Sequence, residues 1–303
     1  MAGDPAQRHL MLSRLIAFTA VLLLIPPSAL TIAGMEWEAP APVAGAAWLP
    51  ALLSMLAVIV FCILLDTLIY HRTNHSLLRS QPGYLLWSSL AGALTGALSA
   101  YLNLFAGSWF TPASSPTQAL LLAALCGLAL LPAVSIARLW LAGLPGLVRM
   151  SARRFAFPAL PSEPAAKLLL LAALTGLIGG TVWPGHLAWL FWPSPLLLLA
   201  ALQLLWHEST VFSGLVRGDW SRVLLGSLAG ILVGGIALAT YRLSGGVIYL
   251  GANTWQLIAG MAVSGLLCLQ IGDIVAEHWR GRKRAGLLRK KPFPVPIVTK
   301  KEP

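Results

Sequence analysis

SSLAGALTGALSAYL, residues 88–102, returns 138 positions later as GSLAGILVGGIALAT, residues 226–240. At that offset Ser89 meets Ser227, Leu90 meets Leu228, Ala91 meets Ala229, Gly92 meets Gly230, Leu94 meets Leu232 and Gly96 meets Gly234. The register runs on into the flanking sequence. Leu77 meets Leu215, Arg79 meets Arg217, and Gly127-Leu128 meets Gly265-Leu266. Helices rich in leucine and alanine match one another by chance, so the repeated loop arginine weighs more than the apolar identities. The pattern predicts a chain made of two related halves.

Within each copy, small residues recur every fourth position: Ser88, Gly92, Gly96 and Ala100 in the first, Gly226, Gly230 and Gly234 in the second. Such a stripe flattens one side of a helix. In a bilayer, where lipid tails are as apolar as leucine, helices associate through the close backbone approach that small-xxx-small stripes permit. These seven residues are therefore the candidate packing residues. The two stripes either face each other across the halves or pack within their own half.

Of the 303 residues, 57% are hydrophobic and 10% charged, with a mean hydropathy of +0.78. A soluble domain carries about 25% charged residues, so a water-soluble fold is excluded. Apolar runs of bilayer-crossing length, roughly 17–25 residues, recur along the whole chain. They are too long and too uniform for barrel strands. The expected fold is all-α and polytopic, with spans near residues 12–33, 48–70, 85–105, 117–140, 166–184, 187–207, 222–242 and 254–276. These eight helices form two tandem four-helix halves in parallel orientation, because a half with an even number of spans repeats with the same sidedness. The expected divisions are residues 1–145, a basic linker 146–165, residues 166–279 and a basic, proline-rich tail 280–303.

Charge fixes the orientation, since cytoplasmic loops carry the excess of Lys and Arg. With the N-terminus inside, the inner segments hold Arg8, Arg14, Arg72, Arg79, Arg138, Arg149, Arg153, Arg154, Lys167, Arg217, Arg222 and everything from Arg280 to Lys301. That is 20 of the 21 basic residues, leaving Arg242 outside. Glu36 and Glu38 fall in the first outer loop. The expected location is the bacterial inner (cytoplasmic) membrane with both termini cytoplasmic. All twelve Trp lie near expected span ends, the level their amphipathic rings prefer. The order of the first thirty residues resembles a signal peptide, but the repeat requires this segment as a helix. Cys62, Cys126 and Cys268 lie inside apolar runs and read as small buried hydrophobes.

Polar side chains inside a membrane are costly and mark candidate sites. Asp66 stands one turn from the inner end of the second span. Gln270, Asp273 and Glu277, at i, i+3 and i+7, share a face of the last. Two readings stand: structural ion pairs with Arg72, Arg79, Arg138 or Arg280 or carboxylates solvated at the interface level, as against a proton or substrate site. Around the same rim lie His71 and His75 at i, i+4, His207 beside Glu208, and His278 beside Glu277, residue types that ligate zinc or non-haem iron. HExxH, Walker and GxSxG patterns are missing, and no cofactor is predicted. The basic tail is explained by topology and by attraction to anionic lipid, without nucleic acid.

The segments DTLIYHRTNHSLLR at 66–79, LVRGDWSRVLL at 215–225 and LLPAV at 130–134 resemble an uncharacterised family of bacterial multipass membrane proteins with repeated Asp, SLL and RGDW elements. The resemblance implies a Trp-Glu pair before an Asn in the third span and a Glu after LPA in the fourth. Asn103 matches, whereas Ser99 and Ala100 replace the pair and Ile136 takes the acidic position. Missing intramembrane acids favour a packing role.

The expected function is thus a non-catalytic scaffold or accessory subunit whose partners are membrane lipids and other membrane subunits. A transporter or lipid-handling protein with a site between the halves near Asp66 and Asp273 is the alternative. A metal-dependent membrane enzyme using the rim His and Glu residues is the third reading.

Overall fold

The computed structural model describes residues 5–33, 48–110, 115–151, 155–158, 161–251 and 253–280. Glu36, Glu38 and the tail beyond Arg280 lie outside them, as do the side chains of Arg8, Arg14 and His278. The described chain is helical, in the order α1 (Pro5–Ile32), α2 (Trp48–Thr73), α3 (Leu77–Ser80), α4 (Pro82–Ala106), α5 (Pro116–Ala142), α6 (Pro145–Ser151), α7 (Ser162–Val182), α8 (Pro184–Phe191), α9 (Ser194–Leu205), α10 (Ser221–Leu243) and α11 (Thr254–Arg280). Two-residue strands, β1 (Trp109–Phe110) and β2 (Tyr249–Leu250), are the only extended pairing among the described residues.

Six helices are long and apolar enough to cross a membrane: α2, α4, α5, α7, α10 and α11. A seventh span results if α8 and α9, bent by 46°, are read together. The apolar stretch Phe18–Ala29 of α1 is shorter than these. The expected straight span 187–207 is therefore a broken helix, and its FWPSP sequence explains why. Pro193 and Pro195 remove two amide donors and clash with the preceding turn; the Ser194 hydroxyl then donates to the Leu190 carbonyl at 2.6 Å across the break.

The small-residue stripes pack on the next helix in sequence rather than on each other. A Cβ placed on Gly92 would overlap the Gly127 carbonyl oxygen, and one on Gly127 would overlap that of Gly92. Gly96 faces Ala123 just as tightly. Along α10, Gly230 lies against Gly265 and Met261, while a Cβ on Gly234 would sit 3.0 Å from Met261 Cγ. Gly226 meets Leu269. Ser88 is fully buried and turns its hydroxyl back to the Leu85 carbonyl at 2.8 Å; Ala100 is buried as well.

The centre of the molecule is α5. Leu131, Ala133, Ile136 and Ala137 have no exposed surface, and α2, α4, α10 and α11 all pack around them. Position 136, where the resemblance implied an acid, is thus completely enclosed by apolar neighbours. Between α2 and α10, the Ser54 hydroxyl donates to the Ala237 carbonyl at 2.8 Å. At the C-terminal end of α4, Asn103 organises the following turn by donating to the Trp109 carbonyl at 2.8 Å and accepting from the Ser108 and Trp109 amides. That turn starts β1, which pairs antiparallel with β2.

Candidate functional site

Of the polar residues singled out in the sequence, Asp66 and Gln270 each hold a loop of this chain, and Asp273 pairs with a residue of a neighbouring helix. Asp66, 4% exposed on α2, accepts from the Ser76 hydroxyl and from the Leu77 amide at 2.8 Å. Ser76 in turn caps α3, taking the Arg79 amide at 3.1 Å. The charge of Asp66 is therefore met by a hydroxyl and the free N–H groups of a helix start, an arrangement that satisfies both the orphan donors and the carboxylate. Asp273 forms an ion pair with Arg222 at the start of α10, both side chains largely covered. Of the two readings, the ion pair applies to Asp273, but its partner is an arginine outside the expected set. Arg222 also reaches the Thr210 carbonyl at 3.5 Å.

Gln270, 1% exposed and one turn deeper on α11, accepts from the Val211 amide at 2.5 Å. Loop 206–214 is thereby tucked under the bundle, with Thr210 and Val211 buried. Glu277 is half-buried on the same helix. At the offset of 138, Asp66 corresponds to Leu204 and Asp273 to Ser135, so neither anchoring acid recurs at the repeat interval.

Of the candidate metal ligands, the His278 side chain lies outside the described residues. His71, His75 and His207 are exposed and Glu208 is half-buried. Asn74 breaks the His71–His75 face by adopting a left-handed conformation with φ of 56°. Among the described residues no three His, Cys, Asp or Glu side chains form a group that would hold a metal.

Sequence reasoning missed the RGDW loop as a clasp. Gly218 is left-handed with φ of 72°, which turns the chain so that Asp219 accepts from the Ser221 amide at 3.0 Å and from its hydroxyl at 2.5 Å. The hydrogen bond from the Ser221 side chain holds the Asp219 carboxyl below its ordinary range, against the opposing effect of partial burial. Trp220 donates to the Phe155 carbonyl at 2.9 Å, and the Phe157 amide donates to that of Leu215 at 3.1 Å. The segment between α6 and α7 is therefore laid on this loop. Trp109 and Trp192 stack at 4.8 Å, so two tryptophans read as membrane anchors join the β1 turn to the helix break.

An apolar groove of about 750 Å³ opens between α1 and α7, lined by Leu24, Ile25, Ala29, Ile178, Val182 and Trp183 among others. Fold and site together define an all-helical membrane protein with several spanning helices. No protein-family model matches the chain, and neither a curated protein nor a solved structure matches it.

Proposed function

We propose that the chain is a parallel tandem duplication of a four-helix unit, with eight spans and both termini cytoplasmic in a bacterial inner membrane. Its role on this reading is that of a non-catalytic scaffold or accessory subunit of a membrane complex. The duplication is supported by register: the pairs Gly92–Gly127 and Gly96–Ala123 recur 138 residues later as Gly230–Gly265 and Gly234–Met261. A repeat axis along the membrane normal also accounts for the reciprocal contacts of α4 with α11 and of α10 with α5. It accounts equally for the antiparallel meeting of β1 and β2, which come from corresponding outer loops.

One observation carries the scaffold reading. Asp66 and Asp273, the acidic groups that a transport or catalytic site would draw on, are both taken up within the chain itself, Asp66 by the loop after α2 and Asp273 by Arg222 of α10. Meanwhile the apolar face of α2, including Leu53, Leu56, Val60 and Leu64, stays exposed for lipid or other helices. Purification of the tagged chain in mild detergent tests this: subunits at fixed stoichiometry support it, and a chain that elutes alone with lipid opposes it.

The groove between α1 and α7, helices of different halves, favours lipid handling as the second reading. Its apolar lining suits acyl chains. Transfer of labelled phospholipid between vesicles faster with the protein than without it would move this reading to first place.

A further inference from the structure

Loop 206–214 is bracketed by two buried glutamines. The Gln203 carbonyl on α9 accepts from the Glu208 amide at 2.8 Å, and the Gln270 side chain on α11 accepts from the Val211 amide at 2.5 Å. The two helices pack together, with Leu199 and Leu202 of α9 in one apolar cluster with Leu267, Ile271 and Ile274 of α11. Gln203 neighbours Leu202, and Gln270 lies between Leu267 and Ile274, so both belong to the packed region.

Gln203 is 2% exposed and Gln270 is 1% exposed. Nevertheless, the Gln203 Oε1 acceptor, the Gln270 Nε2 donor and the Ser209 hydroxyl between them in sequence are all buried without a hydrogen-bond partner. Leaving one such group unsatisfied costs on the order of 1–3 kcal/mol. Gln203 stands on α9, Gln270 on α11 and Ser209 in the loop that both residues hold, and buried groups of this kind are ordinarily satisfied by a neighbour or an ordered water.

We infer that Gln203, Ser209 and Gln270 line a binding site, covered by loop 206–214, for a small neutral molecule that both donates and accepts hydrogen bonds. Donation goes to Gln203 Oε1, and acceptance is from Gln270 Nε2. Neutrality follows from the neighbourhood, where Arg222 and Asp273 already form an ion pair. Water is the smallest member of the class and meets the two to four polar partners a buried water needs; a small amide is the next.

The test is a density map of the full chain in lipid nanodiscs at a resolution that shows ordered water, recorded in plain buffer and with acetamide. A peak within hydrogen-bond reach of both glutamine side chains supports the site. If the peak is unchanged by acetamide the occupant is water, and if it lengthens the site takes amides. A direct Gln203–Gln270 hydrogen bond, a bound ion, or no density overturns the inference. As a second measurement, Gln203→Leu lowers the melting temperature by about 2–4 °C when the occupant loses a partner. Were Oε1 truly unsatisfied, leucine would raise it, and that result also overturns the site.

Discussion

Gly92 and Gly127 approach so closely that neither has room for a Cβ, each blocked by the other's carbonyl oxygen. Gly92→Leu and Gly230→Leu are therefore expected to abolish the folded monomer, and Gly92→Ala to cost about 1–3 kcal/mol through overpacking. Gly235, on the same helix as Gly230, has nothing within 4 Å of its Cβ direction. Gly235→Ala should leave stability unchanged or raise it by up to about 1 kcal/mol. Thermal melts in detergent compare the three directly.

Near the C-terminal end of α2, Asp66→Ala removes the acceptor for Ser76 and Leu77. The expected loss is about 1–3 kcal/mol, with faster hydrogen exchange confined to residues 76–81. Ser76→Ala should cost about 1 kcal/mol, as expected for a lost N-cap. Unchanged exchange in both variants would mean that Asp66 is free for another task.

Arg222 and Asp273 are covered enough that removing one leaves the other's charge poorly solvated. Arg222→Met and Asp273→Leu should each destabilise by about 3 kcal/mol, while the double variant loses less than the sum. A double-mutant cycle with zero coupling contradicts the pairing.

The Asp219 carboxyl is held low by Ser221. A group with a depressed folded pKa contributes stability above its unfolded pKa and loses it as pH falls through the folded value. The clasp should therefore be intact at neutral pH and loosen below the ordinary carboxylate range. Exchange of the Ser221 and Phe157 amides, read from pH 5 downward, is expected to accelerate relative to the intrinsic rate; Asp219→Asn should remove that pH dependence.

Six of the eight expected spans, and a seventh if α8 and α9 are read together, are legible because apolar runs of bilayer length leave little else for the backbone to do, and Gly92, Gly96, Gly230 and Gly234 carry the packing seams in their spacing. What was not legible depends on chain folding back in space. The Ser76 partner of Asp66 lies ten residues on, and the Val211 partner of Gln270 lies 59 residues away. Arg222 was counted only as a topology signal, although its position beside the RGDW loop sets it against Asp273. Pro193 and Pro195 did announce the helix break, but hydrophobicity alone masked it. The His71–His75 spacing suggested one face, and a left-handed Asn74 undid it.

The central claim is that two four-span units share one sidedness, and the connector at residues 146–165 reports on it most directly. Paired reporter fusions, one active only in the cytoplasm and one only outside it, should be placed after Arg149, after Gly245 and at the C-terminus. The account predicts cytoplasmic activity after Arg149 and at the C-terminus, with external activity after Gly245. External activity after Arg149 would contradict it.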